Sequence, residues 1–178
     1  MEKRNQIYVL TGGPGFGKST LIDYLKSLGY KVGDEVARDI IQEQQRIGGN
    51  ILPGKDVRSF QLEVLKRRIA FYGSVNIGEI AFTDRAIPDQ IAFARFNGFG
   101  TPDILVRKTK EFRYNEKVFV TPPWEAIYKN DMERTESFDK ACELHEVIVG
   151  VYQEFGYLVV EIPCLNVHER VKFVLNLI

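Results

Sequence analysis

Cysteine is scarce in this chain. Its 178 residues include only Cys142 and Cys164, and these lack the short spacing of a metal or redox motif. Charge of one sign is missing as well: 24 Lys and Arg balance 24 Asp and Glu. The total therefore carries no basic footprint for nucleic acid or an anionic membrane. No apolar run approaches the length of a bilayer span. The opening residues MEKRNQ pass into the first apolar run without the pattern of a signal peptide. Together these absences lead us to expect a protein of a reducing, cytoplasmic compartment.

What remains is the make-up of an ordinary globular protein, 44% apolar and 27% charged. At this length one domain with a real core is expected, and no repeat, linker or low-complexity segment divides it. The most informative stretch is QIYVLTGGPGFGKSTLIDYL, residues 6–25. A short apolar run ends in a glycine-rich turn, and Leu21, Ile22 and Leu25 then recur at helical spacing. Gly12, Gly17, Lys18 and Ser19 occupy every fixed position of G-x-x-x-x-G-K-[ST], the P-loop pattern. Gly13 and Gly15 add positions where positive φ is cheap. Such a loop curls its N–H groups around a polyphosphate, and the following helix adds the positive end of its dipole. Gly12, Gly13, Gly15, Phe16, Gly17, Lys18, Ser19 and Thr20 are thus candidates to hold ATP, with Lys18 on the β- and γ-phosphates and Ser19 on Mg²⁺.

Further elements follow in alternation. Short strands are expected at 31–36, 79–84, 117–120 and 157–162. Helices are expected at 37–46, 56–72, 88–96, 103–113, 138–155 and 167–177. On the helix at 56–72, Val57, Phe60, Val64 and Phe71 form the buried face, and Lys66, Arg67 and Arg68 lie on the others. Strands alternating with helices imply an α/β fold: a five-stranded parallel sheet, in the order 2-3-1-4-5, between two helical layers. Ligands of such sheets sit beyond the carboxyl ends of the strands. That rule selects Asp34 and Glu35, then Asp84 and Arg85, then the segment from Thr121 to Arg134.

A P-loop specifies a nucleotide, not a reaction. No Asp has Gly three residues on, N-K-x-D is absent, and L-S-G-G-Q is absent, so guanine switches and transporter ATPases are poor fits. The third strand closes on Asp84-Arg85 instead of an acidic pair. With Glu35-Val36-Ala37-Arg38-Asp39, Thr83-Asp84-Arg85 and the proline-ended strand Val118–Pro123 before Trp124-Glu125, the chain resembles the small P-loop kinases. It is most similar in pattern to the ribosylnicotinamide kinase domain of NadR-type proteins and to related predicted ATPases of the AAA-like class. That resemblance implies roles residue by residue. Glu35 would act as base or bind the acceptor hydroxyl, and Arg38 would lie near the acceptor. Asp84 would hold Mg²⁺ with Ser19, and Arg85 would contact the acceptor or the transferring phosphate. Arg134 would belong to a lid closing on the phosphates.

Plainer roles stand beside these. Asp34 and Glu35 suit the cap of the next helix, and Arg38, Arg85 and Arg134 suit ordinary ion pairs or solvated positions. His145 and His168 read as surface or half-buried histidines. Phe93, Phe96, Phe99 and Trp124 suit core packing or an acceptor wall. Cys164 falls where such kinases pass the adenine base. The preferred expectation is transfer of the ATP γ-phosphate to a small, hydroxyl-bearing, nucleoside-like acceptor. The alternative is a slow ATPase or nucleotide switch that recognises a protein or lipid partner.

Overall fold

A computed structural model of the protein describes residues 6–128 and 137–178. Strand β1 (Ile7–Thr11) is buried at every position. It lies between β3 (Ala81–Asp84) and β4 (Lys117–Val120), with β2 (Lys31–Gly33) and β5 (Leu158–Glu161) outside them. All pairings are parallel and the order is β2-β3-β1-β4-β5, as the alternation of elements predicts.

Side chains of a strand alternate between faces, and β1 divides the core accordingly. Ile7 and Val9 join one cluster with α3 (Val57–Ser74), α4 (Ile87–Phe96), α5 (Asp103–Glu111) and α6 (Phe138–Glu154). Tyr8 and Leu10 join the other, against Leu21, Ile22 and Leu25 of α1 (Lys18–Ser27) and Val171 and Val174 of α7 (Val167–Leu175). Each fully buried Leu, Ile or Val here contributes about 1.5–3 kcal/mol through removal from water. Helix α2 (Val36–Ile47) adds a small cluster in which Ile40 meets Phe60 and Val64 of α3.

Two departures from the sequence expectations concern residues near the carboxyl ends of the strands or the buried face of a helix. Strand β2 ends at Gly33 instead of continuing to Val36, because α2 starts there with Glu35 as its N-cap residue. On α3, Val57 is exposed and Arg68 is buried, with its Nη1 donating to the Ala86 carbonyl at 2.6 Å. Helical spacing alone could not foresee that an arginine would find a buried carbonyl on another element.

A candidate nucleotide and acceptor site beside the P-loop

Residues 12–17 turn the chain from β1 into α1. Gly12 has φ 127°, and a Cβ on it would lie 2.5 Å from the Thr121 carbonyl oxygen, since β4 continues alongside β1. Gly17 caps α1 with φ 77°, and a Cβ there would crowd Ile127 and Arg170 at 2.9 and 3.0 Å. Only glycine meets both demands. Lys18 folds over the turn, its Nζ donating to the carbonyls of Gly13 at 2.8 Å and Gly12 at 3.2 Å. Burial, reinforced by Arg85, lowers the Lys18 pKa to about 7, although Asp84, Glu35 and Asp89 oppose the shift. Ser19 and Thr20 stand exposed in the first turn of α1.

The turn rests on α6. His145 is buried, and its Nδ1 accepts the Gly13 N–H at 3.4 Å, which places the ring proton on Nε2. Burial holds this imidazole below the usual histidine range, favouring the neutral form that the contact needs. The Phe16 ring is fully buried against Tyr128, Phe138 and His145. With the ring occupied in this way, only the backbone of Phe16 is available to a ligand of the turn.

Asp84 and Arg85 end β3. The Asp84 carboxylate is buried, its Oδ1 has no hydrogen-bond partner among the described residues, and burial pushes its pKa up to about 6. Arg85 has φ 65°, the one positive value outside glycine among the described residues. Its N–H donates to the Leu10 carbonyl and its own carbonyl accepts from Thr83 Oγ1, both at 2.9 Å. The guanidinium meets Asp89 Oδ1 at 3.0 Å and lies over the Phe93 ring at 5.0 Å. Burial opposes the charge of Arg85, but Asp89, Glu35 and Asp84 together raise its pKa above the usual arginine value.

From α2, Glu35 and Arg38 face each other at 3.7 Å. Glu35 makes no side-chain cap bond at the helix start, and Asp34 instead pairs on the surface with Lys26. From α7 comes Arg170, buried, with its guanidinium beside the carbonyls of Gly17 and Phe16 at 3.4 and 3.5 Å and 5.5 Å from the Trp124 ring centre. Its Nε has no hydrogen-bond partner among the described residues.

These parts surround one cavity of about 480 Å³. Gly15, Gly17, Lys18, Ser19 and Thr20 line one part, Glu35, Arg38 and Arg85 another, and Trp124, Ile127, Asn166 and Arg170 a third. Gly12, Gly13, Phe16 and Asp84 are buried and do not belong to that lining. Arg134 lies outside the described residues. Trp124 belongs to the cavity wall, whereas Phe96 packs on the core and Phe99 is exposed. Sequence reading missed Arg170, His145 and Asp89 as parts of this site. Of the three, only Asp89 left a trace, as an acid in the first turn after Pro88.

Mg²⁺ favours hard oxygen ligands and commonly takes one or two from protein and the rest from phosphate and water. The orphaned Asp84 Oδ1 and the exposed Ser19 hydroxyl suit that pattern. No group of three or more His, Cys, Asp or Glu able to hold a metal alone occurs among the described residues.

A family model for an AAA domain matches residues 7–170. A comparison with curated protein sequences gives no match. Among solved structures, the chain is similar to deoxyadenosine kinase from M. mycoides with bound dATP, at TM-score 0.66 and 16% identity over 97% of this chain and 98% of that one. It is similar to thymidylate kinase from Ehrlichia chaffeensis, at TM-score 0.62 and 18% identity over 97% and 99%. The NadR protein in complex with NR gives TM-score 0.62 and 18% identity over 97% of this chain and 49% of that one. With the P-loop in place at the carboxyl end of the central strand and the family match running from β1 into α7, the chain belongs to the AAA domain family and has the fold of the small P-loop kinases.

Proposed function

We propose that the protein is an ATP- and Mg²⁺-dependent kinase that transfers the γ-phosphate to a hydroxyl of a small, neutral, nucleoside-like acceptor. The observation that carries this reading is the shared cavity: the P-loop and the trio Glu35, Arg38 and Arg85 line the same space. Phosphoryl transfer asks mainly for positioning and charge stabilisation. Gly15, Gly17 and Lys18 would bind the polyphosphate, and Trp124, Asn166 and Arg170 would flank the nucleoside end. Glu35 would take the proton of the acceptor hydroxyl as that oxygen bonds to the γ-phosphorus and the bond to the β-phosphate oxygen breaks, releasing ADP. Arg85 would offset charge on the transferring group. Ser19 and Asp84 would hold Mg²⁺, which supplies charge neutralisation across the phosphates when bound.

Charge argues for a neutral acceptor. Arg38 already faces Glu35, and Arg85 already faces Asp89. A second phosphate on the acceptor would have to compete with both carboxylates. The 16–18% identity of the kinases above leaves the acceptor to be decided by experiment.

The test is ATP consumption by the pure protein with Mg²⁺, alone and with a panel of nucleosides, ribosides and nucleoside monophosphates, following ADP and phosphorylated product together. We expect a nucleoside or riboside to accelerate ADP formation and to appear as its phosphate. ATP binding with no response to any acceptor would replace this reading with the ATPase or switch alternative.

A further inference from the structure

Asp89 takes no part in the chemistry above, yet its carboxylate accepts four hydrogen bonds. It is fully buried in the first turn of α4. Its Oδ1 accepts from Thr11 Oγ1 and, at 3.0 Å, from Arg85 Nη1. Its Oδ2 accepts from the Ala86 N–H at 2.8 Å and from the Tyr152 hydroxyl. Arg68 adds a second cation to its surroundings and is itself tied to the Ala86 carbonyl.

The donors come from separate parts of the fold. Thr11 is the last residue of β1 and precedes Gly12, the first glycine of the phosphate turn. Arg85 sits in left-handed backbone just after β3, Ala86 begins α4, and Tyr152 belongs to α6. An arginine side chain is long and, without restraint, samples many rotamers. Here one edge of the guanidinium is fixed by Asp89 and one face by Phe93. The same oxygen that fixes the edge also receives the Thr11 hydroxyl.

We propose that Asp89 is the positioning residue for Arg85, and that by sharing Oδ1 between Arg85 and Thr11 it sets the acceptor-side cation in register with the phosphate turn. The consequence for catalysis rests on the phosphotransferase reading; the consequence for the guanidinium does not. Asp89 acts through Arg85 and does not itself touch a reacting atom.

Two readouts test this. The first is the ¹⁵N-resolved Nε–H signal of Arg85 in the full-length protein, assigned by its loss in Arg85→Lys. A pinned guanidinium gives a dispersed signal protected from solvent exchange. Asp89→Asn should collapse it toward the solvent-exposed position. Should Asp89→Asn fail to fold, Tyr152→Phe leaves the carboxylate in place and removes one hydrogen bond from Oδ2. It should shift the Arg85 signal through Asp89, which accepts from both side chains. An Arg85 signal that exchanges freely in the native protein, or that ignores both substitutions, overturns the proposal whatever the enzyme's acceptor proves to be.

The second readout, available once an acceptor is known, is a double-mutant cycle on phosphoryl transfer. Asp89→Asn should lower kcat at least about tenfold while KM for ATP stays within about threefold. Arg85→Gln combined with Asp89→Asn should be no slower than Arg85→Gln alone. Independent, multiplying losses would show that Asp89 does not work through Arg85.

Discussion

Lys18 donates two hydrogen bonds to the loop that it serves, and it does so while buried, with a pKa lowered to about 7. A bound polyphosphate would stabilise the ammonium and raise that value. Near pH 8 the free protein then holds Lys18 largely neutral and the complex holds it charged, so binding takes up a proton; affinity falls as pH rises above 7. Calorimetry of ATP binding near pH 8, in buffers of different ionisation heat, should show this uptake, and Lys18→Ala should abolish it together with most of the affinity. Glu35 makes a separate prediction. Glu35→Gln keeps size and polarity but removes the proton acceptor, so acceptor phosphorylation should fall by on the order of 10² or more while ATP affinity changes little. Parallel loss of both in titration and turnover assays would assign Glu35 to structure. At this scale the sequence was legible only where chemistry is encoded locally. G-x-x-x-x-G-K-S and Asp84-Arg85 are contiguous, whereas His145 meets Gly13 across 132 residues and Asp89 meets Thr11 across 78.

The elements were easier to foresee than their contacts. Continuous apolar runs between helical patterns give parallel strands buried on both faces, and the observed order β2-β3-β1-β4-β5 follows. Boundaries were less secure where polar residues served another end. Glu35 reads as the tail of a strand until α2 is seen to start beside it. Arg68 reads as solvent-facing until the Ala86 carbonyl is placed above it. Trp124 reads as core or as an acceptor wall until it is seen beside the 3-10 turn Glu125–Ile127 on the cavity wall. The junction of β1 with the phosphate turn yields the prediction for this scale. Gly12→Ala places a Cβ against the Thr121 carbonyl in a backbone region that alanine disfavours. It should cost at least about 2 kcal/mol in denaturant unfolding and should impair ATP binding; an unchanged midpoint would mean that the turn relaxes freely.

For the molecule as a whole, ATP binding should report on stability, because the cavity joins the turn after β1 and α1 to α2, the end of β3 and α7. Ligand at about a hundred times its Kd stabilises the folded state by about 2.7 kcal/mol. For a chain of this size that corresponds to a rise in Tm of roughly 5–10 °C. Differential scanning with ATP and Mg²⁺ measures it directly, and the rise should vanish in Lys18→Ala. No helix among the described residues is long and apolar enough to cross a membrane.

Arg170 lies 153 residues after Gly17, whose carbonyl accepts from it. During synthesis the phosphate turn emerges early, but the guanidinium that backs it emerges after every strand of the sheet. Nucleotide should therefore bind more tightly once α7 has docked than before it. A ribosome-stalled chain that holds α7 inside the exit tunnel should leave ATP unbound, and a stall placed far enough downstream for α7 to emerge should switch binding on.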